Sequence, residues 1–114
     1  MTENTVNQDD QAAWSRTLLA NERARINALD SEIARLIAER FEAVNQIAAL
    51  KQKAALPVLN ASREQEVLDG VRQVIVNPAL VPHVHRIFEN IMAESRAYQE
   101  AKRAPQGQTK VSVD

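Results

Sequence analysis

The chain has 114 residues, 45% of them hydrophobic and 25% charged, with a formal net charge of −1 and a sequence pI near 6.1. That length is one small domain, which a dimer would help to bury, and the charge balance recommends neither nucleic acid nor an anionic membrane as a partner. The absence of cysteine excludes a disulfide, a thiolate nucleophile and a sulfur-ligated metal, while two glycines and one residue each of Trp and Tyr argue against a turn-rich β fold and leave an all-α class.

Residues 1–9 are polar and acidic and are expected to be disordered. They carry no apolar run of the kind a signal peptide needs, and no segment of the chain approaches the roughly 20 apolar residues of a membrane span, so a cytoplasmic location is the default. Asp9 or Asp10 is placed to cap a helical lead-in from Gln11 to Ala20, with Trp14 and Leu18 one turn apart as packing anchors.

From Asn21 to Leu56 the chain reads as one long amphipathic helix. Ile26, Leu29, Ile33, Leu36, Val44 and Ile47 recur at the three-and-four spacing of one helical face, with no Pro or Gly among them. The same count places Arg40 between Leu36 and Val44, and Lys51 one turn beyond Ile47, so both cations point inward. At about 100° per residue Lys51 returns to within roughly 20° of Arg40, about 16 Å along the axis. Two cations on a buried stripe predict either fixed carboxylates or a bound anion between them. Arg23 lies about 25 Å from Arg40 on the same rod, too far for both to grip one metabolite; if it serves a ligand site, that site is another subunit's.

Beyond Lys53 the pattern fades into AALPVLNAS, a loop in which Pro57 biases Leu56 away from helix. Ser62 followed by Gln65 resembles a capping box and opens a second helix near Asn60 to Ser62 that runs to about Val76, with Val67, Leu68, Val71, Val74 and Ile75 as its apolar face. Asn77-Pro78 stops it, and Pro82 suits the first position of a third helix. Val84, Ile87, Phe88, Ile91, Ser95 and Tyr98 form the buried side of that helix, with Met92 and Gln99 alongside. Pro105 and Gly107 end the ordered domain, taken as 10–104, and residues 105–114 read as a flexible tail.

The chemistry must come from charges and neutral hydrogen-bonding groups. By themselves Arg63 reads as a solvated cation and Glu64 as a complement to the macrodipole of the second helix. A loop of the length seen here folds them back toward Arg40 and Lys51. Ser95 and Gln99, one turn apart, can face one ligand. His83 and His85 point about 200° apart on a helix and make poor joint metal ligands. No Ser-His-acid set, paired carboxylates, phosphate loop or metal motif is present, so no metal site is expected. Several cations, one carboxylate and neutral hydrogen-bonders suit a polyanionic small molecule and catalysis by positioning and electrostatics.

The order Arg23, Ile26-Asn27-Ala28-Leu29-Asp30, Arg40, Lys51, Pro57-Val58, Arg63-Glu64, Ser95 and Gln99 resembles the AroQ-class chorismate mutases over about residues 21–101. The resemblance implies an intertwined homodimer of three-helix chains, each site completed by the long helix of the partner. It implies the cofactor-free rearrangement of chorismate to prephenate, in phenylalanine and tyrosine biosynthesis. Arg40 with the partner copy's Arg23 would hold one carboxylate, and Arg63 with Ser95 the other. Lys51 and Gln99 would donate to the ether oxygen and Glu64 would accept from the ring hydroxyl. Where the family often has Asp, this chain has Asn60, which serves equally as a helix cap or as a substrate contact. Gln99 does not titrate, so activity should persist through neutral pH.

Isochorismate-pyruvate lyase and aminodeoxychorismate mutase are the enzymatic alternatives, and a helical interaction or regulatory module is the non-enzymatic one. Glu64 and Ser95 favour the mutase, and no central cation is lost. With no space for a fused domain in 114 residues, a monofunctional protein is expected.

Overall fold

The computed structural model describes residues 7–103. Three α-helices make up the fold, α1 (Gln8–Lys53), α2 (Ala61–Gln73) and α3 (Val81–Arg103), with a 3-10 turn (Pro78–Leu80) before α3 and no strand among the described residues. The all-α class and the long first helix agree with the sequence reading. The expected terminal disorder lies mostly outside the described residues, except that Gln8 and Asp9 are already helical.

α1 is longer than its periodic core. The lead-in and the main stretch are one helix of 46 residues, opened by Asn7, whose side chain accepts from the Asp10 N–H at 2.8 Å. Asp9 and Asp10 therefore sit in the first turn, where their charges complement the macrodipole, and neither is the cap. The helix ends at Lys53, three residues short of Leu56. Ala55 takes φ 57°, the Leu56 N–H donates to the Lys51 carbonyl at 2.8 Å, and the Ala55 N–H donates to Gln52. This is a Schellman stop with alanine in the left-handed position that usually holds glycine.

By its packing the chain divides into Met1–Glu39 and Arg40–Asp114. Within the first unit the described side chains are exposed apart from Ile37, and the apolar stripe Ile26, Leu29, Ile33 and Leu36 is about half accessible. Among its described residues the ion pairs are local: Arg25 with Glu22, and Arg35 with Glu32 and Glu39, each three or four residues apart.

In the second unit α2 packs chiefly on α3, and the last turns of α1 supply a further wall. Val44, Ala48, Val58 and Met92 form its buried apolar core, while Phe41 meets Tyr98 edge to face at 5.2 Å. Two cations hold the loop after α1: Lys51 Nζ donates to the Val58 carbonyl at 2.7 Å and Arg103 to that of Leu56 at 2.8 Å.

α2 is capped by Asn60, whose side chain accepts from the Arg63 N–H at 3.0 Å. Ser62 instead donates to Asn60, and Gln65 to Asp69, so the expected Ser62–Gln65 box does not form. α2 stops at Gln73, leaving Val74 and Val76 exposed. Asn77 caps the 3-10 turn through the Ala79 N–H, and Pro78 rather than Pro82 takes the first position after the break. In α3 the buried face is turned toward Met92, Ser95 and Gln99, and Ile87 is 56% exposed. Apolar residues cover more than one face of α3, so periodicity alone could not choose between them.

Candidate functional site

A cavity of about 160 Å³ lies within the second unit, between the last turns of α1, the loop, the start of α2 and the end of α3. Its polar lining is Arg40, Lys51, Asn60, Arg63, Glu64, Ser95, Arg96 and Gln99, over apolar walls that include Val44, Val67 and Met92. Seven of these eight polar residues were singled out from the sequence, and Arg96 was not. The helical count could have found Arg96, which follows Met92 by four residues and precedes Gln99 by three.

Arg40 and Lys51 are both partly buried, and both lean on neutral groups. Arg40 donates to Ser95 Oγ at 2.9 Å, and Lys51 to the Val58 carbonyl. Among the described residues neither pairs with a carboxylate. Of the two partners that buried cations predict, fixed carboxylates or a bound anion, the described residues do not supply the first. A guanidinium has five N–H donors and an ammonium three, so each keeps donors for a ligand.

Ser95 is 6% exposed, accepting from Arg40 and donating to the Ile91 carbonyl at 2.8 Å, a bond to its own helix that the hydroxyl can exchange by rotating toward the cavity. Gln99 is 7% exposed, and its Oε1 has no hydrogen-bond partner among the described residues. A buried amide with an unused acceptor is costly, and Gln99 is held in that state where it lines the cavity. Ser95 and Gln99 thus both sit in the interior.

Arg63 and Glu64 differ although they are neighbours. Arg63 is exposed and donates to Glu66 at 3.1 Å, an ion pair of the solvated kind. Glu64 turns inward, where both of its carboxylate oxygens lie 2.5 Å from Arg96 Nη1. The structure brings Ser95 to Arg40 and Glu64 to Arg96; it makes no bond between Arg63 and Ser95. Arg23 belongs to the first unit. His83 contacts Arg86, His85 pairs with Glu89, and no group of three potential metal ligands occurs among the described residues. No helix among them is long and apolar enough to cross a membrane.

Fold and site together define an all-helical protein with a small basic pocket floored by buried neutral hydrogen-bonding groups. The family model for chorismate mutase type II matches residues 22–100, well over half of the chain, and the chain belongs to that family of isomerases. It is also similar to the chorismate mutase of Methanocaldococcus jannaschii, 26% identical over 83 residues that cover 72% of this chain and 84% of that protein.

Proposed function

We propose that the chain is a chorismate mutase that converts chorismate to prephenate. The observation that carries the reading is the pair Arg40 and Lys51, partly buried on neutral partners and facing the same cavity as Ser95 and Gln99. Such a site attracts a small dianion. Family membership supplies the reaction class, and the substrate's two carboxylates match the spread of cations.

The rearrangement is unimolecular: the ether C–O bond breaks as a C–C bond forms, with no proton transfer and no covalent intermediate. Arg40 holds one carboxylate together with the partner copy's Arg23. Arg63 holds the other with Ser95, and leaving its exposed contact with Glu66 costs only about 0–1 kcal/mol. Holding both carboxylates selects the conformer in which the reacting carbons meet. Lys51 keeps its bond to Val58 and donates with Gln99 Nε2 to the ether oxygen. Negative charge grows there as the C–O bond stretches, so this contact strengthens in the transition state and carries most of the rate. Glu64 accepts from the ring hydroxyl.

A homodimer completes this reading. The half-exposed stripe Ile26, Leu29, Ile33 and Leu36 is apolar surface for a second copy, which also brings Arg23 to the site. A cavity of about 160 Å³ is smaller than the roughly 300–1,000 Å³ of ordinary ligand clefts, in keeping with a wall still to be supplied.

Loss of chorismate absorbance with purified protein, confirmed by acid conversion of the product to phenylpyruvate, is the direct test. A folded dimer that leaves chorismate untouched would refute the assignment, and isochorismate would then be assayed for the lyase reaction.

A further inference from the structure

Of the charged residues lining the cavity, Arg96 is the one that the scheme above leaves without a task. It is 35% exposed and Glu64 25%, and a single guanidinium nitrogen reaches both carboxylate oxygens at 2.5 Å. The pair joins α2 to α3 across 32 residues of sequence. Asn60, at the cap of α2, lines the same cavity and carries no charge.

The charges at this corner therefore cancel: one carboxylate, one guanidinium and a neutral amide. The carboxylate nevertheless keeps unused acceptor capacity, because its two oxygens offer about four lone-pair sites and Arg96 occupies two. Such a corner accepts a hydrogen bond from a neutral donor readily. It gives a cation no net attraction, and Arg40, Lys51 and Arg63 line the same cavity.

We propose that Arg96 is a specificity-determining residue, whose pairing with Glu64 makes this corner select a neutral ring hydroxyl over a ring ammonium. The inference rests on the proposed function, in which Glu64 meets the ring substituent. It answers the choice between chorismate and its 4-amino analogue, aminodeoxychorismate, which is protonated at neutral pH. Removing a guanidinium about 5 Å from an ammonium in a partly buried site changes binding by at least about tenfold.

The test compares kcat/KM for the two substrates with the full-length protein. Wild type favours chorismate, and Arg96→Met lowers that preference by at least about tenfold. Arg96→Lys retains it, because one nitrogen makes both contacts and an ammonium can take its place. Asn60→Asp, which keeps an equally good helix cap while adding a negative charge, also lowers the preference and guards against misfolding of Arg96→Met. The preference is a ratio, so a general loss of stability does not move it. If chorismate is turned over but neither Arg96→Met nor Asn60→Asp changes the ratio, the inference fails alone. Equal use of both substrates by wild type, or a drop with Arg96→Lys as large as with Arg96→Met, overturns it as well. Wild type that acts on neither substrate overturns the proposed function, and this inference with it.

Discussion

The two stretches of α1 on either side of Glu39 share one helix and one apolar stripe, yet they are written for different purposes. Before Arg40 the stripe Ile26, Leu29, Ile33 and Leu36 stays half exposed, and the charges pair with neighbours one turn away. From Arg40 onward Val44 and Ala48 are buried, and the cations reach groups on other elements, Ser95 and the loop carbonyl of Val58. The same periodicity therefore leaves an accessible apolar stripe in one stretch and makes a cavity wall in the other. What distinguishes them is the replacement of apolar residues by Arg40 and Lys51 at stripe positions.

The sharpest way to break this contrast is at Lys51. Lys51→Ala is expected to lower kcat by at least about 10²-fold, the scale of a lost oxyanion donor, while circular dichroism shows the helices retained. Unchanged turnover would remove the mechanism.

The first stretch is tested next. Leu29→Asp combined with Ile33→Asp should turn a dimer into a monomer in sedimentation equilibrium and abolish turnover, since the double variant sets charges on the proposed interface. Complementation asks more. Arg23→Ala and Lys51→Ala, each inactive alone, should regain activity when mixed and allowed to exchange subunits, because one site of the mixed dimer has both residues. No recovery would mean that Arg23 does not cross between chains.

A smaller effect is expected at Ser95, whose hydroxyl supports Arg40. Ser95→Ala should cost about tenfold in kcat/KM, on the order of one hydrogen bond to a charged group, seen in steady-state assays at saturating and limiting chorismate. The smallest effects concern the backbone. Ala55 holds a left-handed conformation, whereas Gly70 sits mid-helix with nothing within 4 Å of where a Cβ would be. Ala55→Gly and Gly70→Ala should each stabilise the protein by about 0.5–1 kcal/mol, read as a rise in the denaturant midpoint. Destabilisation by Gly70→Ala would show that this face is covered in the assembly.

Much of the candidate site was legible in the sequence, because a helix converts sequence spacing into direction. Arg40 and Lys51 break an apolar stripe, and Ser95 and Gln99 stand one turn apart, so their common facing could be read from the count alone. The termini were less legible. Competing caps such as Asn7 against Asp9, or Asn60 against Ser62, differ by small energies and depend on which side chain reaches the free N–H groups. The stop at Ala55 was hidden because alanine rarely adopts that backbone conformation.

The amino-acid sequence by itself determined three helices, the inward cations and most of the polar residues that line the cavity. These follow from periodicity and capping, which act over a few residues. Only the tertiary structure decided that Arg40 rests on Ser95, 55 residues away, that Arg96 holds Glu64 and Arg63 does not, and that the buried face of α3 runs through Gln99 instead of Ile87. Those outcomes depend on which faces of two helices meet, and local spacing leaves that choice open because more than one face of α3 is apolar enough to be buried.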